Sequence, residues 1–163
     1  MRIVDGWVEI DDVESFLDEL DAIGDNHGSV VQAFDARYIA GERHLTAAVE
    51  RANRAFDRAD AIADDRAIEI LCYAAGRRQI ERAMEIGVKP GRLPVAIVVD
   101  DGAEVDAAAG LCDVIDGDTV VGSARDEELI AEFFNITERE RLATDADLET
   151  LVIERVSLLA IDK

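Results

Sequence analysis

Lysine is nearly absent from this sequence, although basic side chains in general are not. Only Lys89 and Lys163 are lysines among 17 basic residues, and these face 37 aspartates and glutamates, for a formal net charge of −20. Arginine in place of lysine on a carboxylate-rich chain is typical of proteins from salt-accumulating halophiles. A charge this far from zero governs solubility and the suitable medium, and it does not determine the fold.

Cysteine and long apolar runs are also scarce. The two cysteines, Cys72 and Cys112, lie in apolar helical patterns, so we expect small buried side chains in a reducing cytoplasm and no disulfide framework. No apolar run approaches the roughly 20 residues that a membrane span needs. Met1 leads into a strand-like segment, which does not resemble a signal peptide. These absences predict a cytoplasmic protein without membrane association.

Motifs with recognisable catalytic chemistry are missing. The sequence has no Walker motif, no GxGxxG, no CxxC and no GxSxG. Asp35, Glu42 and His44 are close in sequence, but they lack metal-ligand spacing, and a lone histidine is more often a hydrogen-bonded structural group. We therefore predict no catalytic residues, no metal and no cofactor, so the protein is not expected to be an enzyme. A metal-dependent hydrolase centred on His44 is the least favoured alternative.

Hydrophobic patterning predicts strands and helices that mingle along the chain. The length of 163 residues, with 49% hydrophobic and 33% charged side chains, fits one globular domain over residues 1–163. We predict strands at 2–10, 29–36 and 93–100, a possible strand at 118–123, a turn at 25–28, and helices at 12–23, 43–60, 65–75, 77–86, 103–115, from 126, from 137 and at 147–160. The expected class is α/β, with α+β as the alternative, in which several helices cover a small mixed sheet.

Positive charge is concentrated in the middle of the chain. Residues 36–92 hold 11 basic and 9 acidic side chains, whereas the rest of the chain holds 6 basic and 28 acidic ones. One interpretation is that these arginines pair with local carboxylates on solvated helix faces. The other is that some of them bind an anionic ligand.

The spacing of the arginines favours the second interpretation. Arg77 and Arg78 follow Gly76, where a helix is predicted to begin, and Arg82 lies one turn later. A helix N-terminus carries partial positive charge, so cations there are unfavourable unless an anion binds. Backbone N–H groups and guanidinium groups together bind phosphate. If one helix continues through Gly76, this argument fails.

A second set of arginines shares one face of the helix predicted at 43–60. Arg51, Arg54 and Arg58 lie at positions i, i+3 and i+7 beside the apolar stripe of that helix. Like charges at such spacing repel by about 0.2–0.5 kcal/mol per pair. This set is a further place where phosphate groups could bind.

Two segments of this central region resemble a known family. Residues 35–52 (DARYIAGERHLTAAVERA) follow the pattern DA..I.G..HL..A...A, and residues 69–87 (EILCYAAGRRQIERAMEIG) follow E.L.Y.AG.RQI..A...G. Both patterns resemble the small kinase-binding subunit of the KEOPS complex, the family of the PRPK-binding protein. Residues 136–161 also resemble the C-terminal region of that family, so the likeness covers most of the chain.

The resemblance implies an accessory subunit in tRNA modification. KEOPS installs threonylcarbamoyl on the adenosine next to the anticodon in tRNAs that read codons beginning with A, and a separate subunit is the transferase. The family's small subunit docks directly onto the kinase-like ATPase subunit and is associated with holding the single-stranded 3′ CCA end of tRNA. The implied partners are therefore the kinase-like ATPase subunit directly, the transferase subunit indirectly, and tRNA. Together with the composition, we expect a protein from the cytoplasm of a halophilic archaeon.

These expectations select candidate residues for each partner. Single strands are held by phosphate contacts and by stacking on aromatic or arginine planes, for which Tyr38 and Tyr73 are available. The candidate RNA-binding residues are Arg43, His44, Arg77, Arg78, Gln79 and Arg82. The alternative function is a protein-interaction adaptor whose arginines meet carboxylates on a partner and contact no RNA.

The last helix supplies the candidate partner surface. Its apolar stripe is sufficient to anchor the helix on the core and comprises Leu148, Leu151, Val152, Val156 and Leu159. Ile153 and Leu158 fall outside this stripe, on opposite flanks. A helix that is apolar beyond one face is either buried or covered by another protein. The pattern leaves both explanations open, and the family resemblance, which implies a hydrophobic surface against the kinase-like subunit, favours the second. We therefore expect Ile153, together with Leu158, to bind the kinase-like subunit.

Overall fold

The computed structural model describes residues 1–161 and contains one four-stranded sheet. Its strands are β1 (Arg2–Ile10), β2 (Val30–Asp35), β3 (Gly91–Asp100) and β4 (Asp116–Gly117), in the order β2-β3-β1-β4. The predicted class, a small sheet covered by helices, is confirmed, as are the three strands predicted with regular patterns. Each described pairing is antiparallel, so the sheet is not mixed. Hydrophobic periodicity does not encode the direction of a strand.

Helices cover both faces of the sheet. They are α1 (Val13–His27), α2 (Glu42–Asp57), α3 (Arg66–Ala75), α4 (Ile80–Ala83), α5 (Glu104–Cys112), α6 (Glu127–Phe133), α7 (Glu138–Leu142) and α8 (Leu148–Ile161). Within residues 1–161, none of these helices is long and apolar enough to cross a membrane.

The central strand β3 separates two hydrophobic cores. Its side chains alternate, so Val95 and Ile97 pack with α1 and α5 on one face, whereas Ala96 and Val98 pack with α2, α3 and α8 on the other. All eight residues from 93 to 100 are buried, which confirms the prediction of a strand buried on both faces. The larger core lies beneath the helices that carry the arginines, so those helices are fixed in place by packing.

Several predicted boundaries are wrong for identifiable reasons. Residues 25–27 belong to α1, which ends at Gly28 in the left-handed conformation (φ +65°), so the turn predicted at 25–28 is one residue long. The possible strand at 118–123 is absent, because the Asp5 carboxylate accepts hydrogen bonds from the N–H groups of Val120 (2.8 Å) and Val121 (2.9 Å). A side chain thereby replaces the neighbouring strand as acceptor. Cys72 is buried as expected, but Cys112 is exposed at the end of α5.

Candidate nucleic-acid interface

Arg77 lies in the short segment that joins α3 to α4. Gly76 ends α3 in the left-handed conformation (φ +62°), and the Arg77 N–H donates to the Cys72 carbonyl (3.1 Å). The helix predicted at 77–86 is therefore wrong: only a four-residue helix from Ile80 and a 3₁₀ turn over Met84–Ile86 form there. The Arg77 amide closes the preceding helix and is not available to phosphate. A helix C-terminus carries partial negative charge and favours a cation, so the charge of Arg77 is not unfavourable at this position. The prediction that an anion must compensate for it is therefore wrong.

The guanidinium of Arg77 is held against Phe133 and lacks one acceptor. Its Cζ lies 4.7 Å from the centroid of the Phe133 ring, and Nη2 donates to the Phe133 carbonyl. Its Nε is buried without a hydrogen-bond partner, the one such side-chain nitrogen or oxygen in the described part of the chain. Burial lowers the pKa of Arg77, and the charge of Arg82 lowers it further. An anion beside the guanidinium would oppose this lowering of the pKa.

A cavity of about 300 Å³ opens beside Arg77. It combines aromatic, basic and acidic side chains, and it is lined by Tyr38, Arg77, Arg82, Glu85, Leu129, Glu132, Phe133 and Asn135. The rings of Tyr38 and Phe133 meet edge to face, with centroids 5.8 Å apart. Basic and aromatic groups in one groove are the combination that binds single-stranded nucleic acids.

Tyr38 is positioned by a buried carboxylate at the end of β2. Asp35 is fully buried and accepts hydrogen bonds from Nε (3.0 Å) and Nη2 (2.7 Å) of Arg37. The Lys89 ammonium lies 3.3 Å from the same carboxylate and 4.9 Å from the centroid of the Tyr38 ring. Asp35 is thus part of an ion-pair network that holds Lys89 beside the Tyr38 ring. Within residues 1–161, no three metal-binding side chains converge.

The candidate RNA-binding residues separate into two locations. Arg77 and Arg82 line the same cavity, and Arg78 and Gln79 are exposed in the segment between them. Arg43 is exposed on the first turn of α2, where its guanidinium pairs with Glu149 (2.9 Å) and Asp147 (3.4 Å). The structure therefore brings four of the six predicted residues to one place.

His44 does not fit the expected contact with RNA. It is fully buried; its Nδ1 accepts from the Ala40 N–H (3.1 Å), and its Nε2 lies 2.7 Å from the Ala74 carbonyl. Burial lowers the pKa of His44 to about 4, so the ring is neutral. Both nitrogens are engaged inside the protein, and the ring also packs edge to face on Phe134 (5.6 Å). His44 instead ties α2 to the end of α3, just before Arg77.

The neutral state of His44 predicts a loss of stability in acid. The pKa is about 4 in the folded protein and about 6.5 in an unfolded chain. The unfolded state therefore binds more protons between these values. Stability is fully present above pH 6.5 and falls as the pH drops towards 4, by up to about 3 kcal/mol. Urea unfolding at each pH measures this slope, and a His44→Gln variant should show a smaller slope over the same range. Equal slopes for the wild type and the variant would show that His44 does not cause the loss of stability in acid.

Two residues that contact the Tyr38 ring, Phe133 and Lys89, were missed from the sequence. Phe133 lies 56 positions from Arg77, and no local pattern links them. Lys89 could have been found from the sequence, because it is one of only two lysines in an arginine-rich chain and lies two positions after the second motif segment.

Comparison with known proteins agrees with the motifs of the central region. Residues 11–160 match a family model described as kinase binding protein CGI-121. No curated protein matches the chain. The matched range includes all the residues that line the Arg77 cavity and nearly all of α8. The resemblance to a family of kinase-binding subunits is thereby confirmed, and this chain belongs to the kinase binding protein CGI-121 family.

Proposed function

We propose that this protein is a non-catalytic accessory subunit of a KEOPS complex in the cytoplasm of a halophilic archaeon. In this role it binds the kinase-like ATPase subunit directly, meets the transferase subunit only within the complex, and holds the 3′ CCA end of tRNA. Family membership supports the kinase partner. The observation that carries the RNA contact is Arg77, whose guanidinium stacks on Phe133 while its buried Nε lacks an acceptor.

The mixed charge of the Arg77 cavity suggests how a strand end would lie in it. Phosphate oxygens pair with Arg77 and Arg82, and a base stacks beside Tyr38. Glu85 and Glu132 repel phosphate but accept hydrogen bonds from amino groups, which cytosine (N4) and adenine (N6) both carry. Uracil presents a carbonyl oxygen at the equivalent position, which these carboxylates disfavour. The cavity therefore suits the bases of a CCA end.

The RNA contact is tested by reversing one exposed charge in the cavity. We expect Arg82→Glu to weaken tRNA binding by the assembled complex about 10- to 100-fold, because a phosphate contact becomes a repulsion. Arg139→Glu is the matched control, since Arg139 is exposed on α7, outside the cavity. Binding is measured at molar salt with intact tRNA and with tRNA that lacks the CCA end. At molar salt the electrostatic screening length is only about 3 Å, so only close contacts between protein and tRNA contribute to binding.

The outcomes separate the two candidate functions. Wild-type complex should prefer intact tRNA, and the Arg82 variant should lose that preference while the Arg139 variant keeps it. If the two tRNAs bind equally and Arg82→Glu changes nothing, the arginines do not contact the CCA end. The protein-interaction adaptor then becomes the better description.

We propose the outer face of α8 as the surface for the kinase-like subunit. The five stripe residues are all buried, as predicted. Leu158 is 48% exposed and Ile161 is 76% exposed, three positions apart on the same helix, and Ile153 is half-buried. Exposed leucine and isoleucine side chains on one helix face are typical of a partner contact.

Docking through α8 is tested with one substitution of an exposed apolar residue by glutamate, and with a control that makes the same kind of substitution on another helix. We expect Leu158→Glu to remain folded and to lose the kinase-like subunit in co-purification, because a charge would enter an apolar contact. Val105→Glu should retain the partner, since Val105 is 61% exposed on α5, across the sheet. Retention of the partner by Leu158→Glu would place the docking surface elsewhere, and Ile153→Glu then tests the opposite flank.

A further inference from the structure

A second arginine-lined cavity lies at the C-terminal half of α2. Its volume is about 270 Å³, and it is lined by Arg51, Arg54, Ala55, Arg58, Asp60, Tyr73 and Ala160. The three arginines predicted to share a helix face therefore converge on one cavity. None of them belongs to the Arg77 cavity.

These arginines are not neutralised by carboxylates of the same helix. None of the three forms an ion pair with any residue in 1–161, although Glu50 and Asp57 also lie on α2. Arg51 donates only to the Ala47 carbonyl, one turn earlier in the same helix (3.2 Å). Seven other basic side chains in the described range do form ion pairs. Although the chain has 37 acidic residues, three arginines without an ion pair inside residues 1–161 share one cavity, and this arrangement favours an anionic ligand.

Helix electrostatics explain only part of this arrangement. A cation near the end of a helix is favoured by the macrodipole, which accounts for Arg54 or Arg58 alone. A second and third arginine at spacings of three and four residues repel the first. Among the described residues that line the cavity, Asp60 is the one acidic side chain against three arginines, so their charge is positive in sum.

We infer that this cavity binds a phosphate group and forms a site distinct from the Arg77 cavity. Guanidinium groups contact phosphate oxygens through paired N–H donors. The ring of Tyr73 is only 1% exposed, so the cavity offers no aromatic face to a base. The cavity, at about 270 Å³, is slightly smaller than the roughly 300–1,000 Å³ of typical small-molecule sites. It therefore suits a phosphate with its attached sugar. The inference does not depend on the proposed RNA contact at Arg77.

The phosphate can come from a small molecule or from a polynucleotide backbone. His44, which contacts Ala74 near Arg77, lies at the start of α2, and Arg54 follows ten residues later, about 15 Å along the helix axis. A short single strand is therefore one of the ligands to test at this cavity.

The site is tested by NMR on the full-length protein at moderate and molar salt. The Nε–Hε signals of the three arginines are followed during titration with inorganic phosphate, a mononucleotide and a short single-stranded RNA. We expect saturable shifts at Arg51, Arg54 and Arg58 with at least one of these ligands. The double variant Arg54→Gln/Arg58→Gln should lose about tenfold or more in affinity, while Arg139→Gln should not. For the RNA, the slope of log K against log salt should fall by about 1.4.

Each outcome bears on the inference. Tighter binding of RNA than of phosphate identifies a strand as the ligand, and equal affinities identify a small phosphate. No saturable shift, or equal shifts with a polyglutamate peptide of the same charge, would overturn the phosphate site. A further result would be that the Arg82→Glu variant fails to distinguish the two tRNAs while the Nε–Hε shifts of Arg51, Arg54 and Arg58 stay unchanged. That result would show that the two cavities bind their ligands independently. A preserved melting temperature of the double variant excludes unfolding as the cause.

Discussion

Transfer from molar salt to low-salt buffer is expected to lower the melting temperature of this protein by at least about 10 °C, equivalent to several kcal/mol of stability. The formal net charge is −20, and only eight carboxylates take part in ion pairs within residues 1–161. The screening length grows from about 3 Å at 1 M to about 30 Å at 0.01 M, so unpaired carboxylates repel one another across the surface.

A cluster of aspartates shows where this repulsion acts locally. Burial raises the pKa of Asp21, and the charges of Asp25, Asp65 and Asp18 raise it further. Thermal unfolding from tens of millimolar to molar potassium chloride measures the effect. Asp21→Asn should gain less stability from added salt than the wild type does, because one repulsive charge is gone. A melting temperature that does not rise with salt would reject the halophilic interpretation of the composition.

Replacement of Glu69 by alanine is expected to cost about 3–5 kcal/mol of unfolding free energy. Glu69 is fully buried on α3, and its carboxylate accepts hydrogen bonds from the N–H groups of Ile62 (2.9 and 3.0 Å) and Ala63 (2.8 Å). These bonds hold the connection between α2 and α3, in which Ala59 adopts a left-handed conformation (φ +54°). Alanine at this position leaves both N–H groups without an acceptor, so the connection is released.

Urea unfolding of two variants tests the role of Glu69. Glu50→Ala is the control, because Glu50 is exposed on α2 and forms no ion pair with another residue of the described range 1–161. Its replacement should change the unfolding free energy by no more than about 0.5 kcal/mol. Glu69→Gln keeps one acceptor oxygen, so its loss of unfolding free energy should lie between those of Glu69→Ala and Glu50→Ala. A loss below about 1 kcal/mol for Glu69→Ala would show that water satisfies the two N–H groups. Glu69 belongs to the central motif, and its hydrogen bonds to Ile62 and Ala63 give it a structural role there.

The sequence by itself determined how the most regular elements face the core. The α8 stripe and the doubly buried strand β3 were both predicted correctly, since periods of 3.6 and 2 residues report burial directly. The resemblance over the central motifs identified the family. The clustering of arginines on one face of α2 was also visible in the spacing.

Only the tertiary structure decided what the individual polar groups do. Gly76 reads equally well as the start or the end of a helix, and the hydrogen bond from Arg77 to Cys72 settles it as an end. The burial of His44 depends on α3 and on Phe134, which lie far from it in sequence. The stacking of Arg77 on Phe133 likewise joins two distant segments. A local pattern fixes which face is apolar, whereas the partner of a polar side chain depends on which remote segments the fold brings beside it.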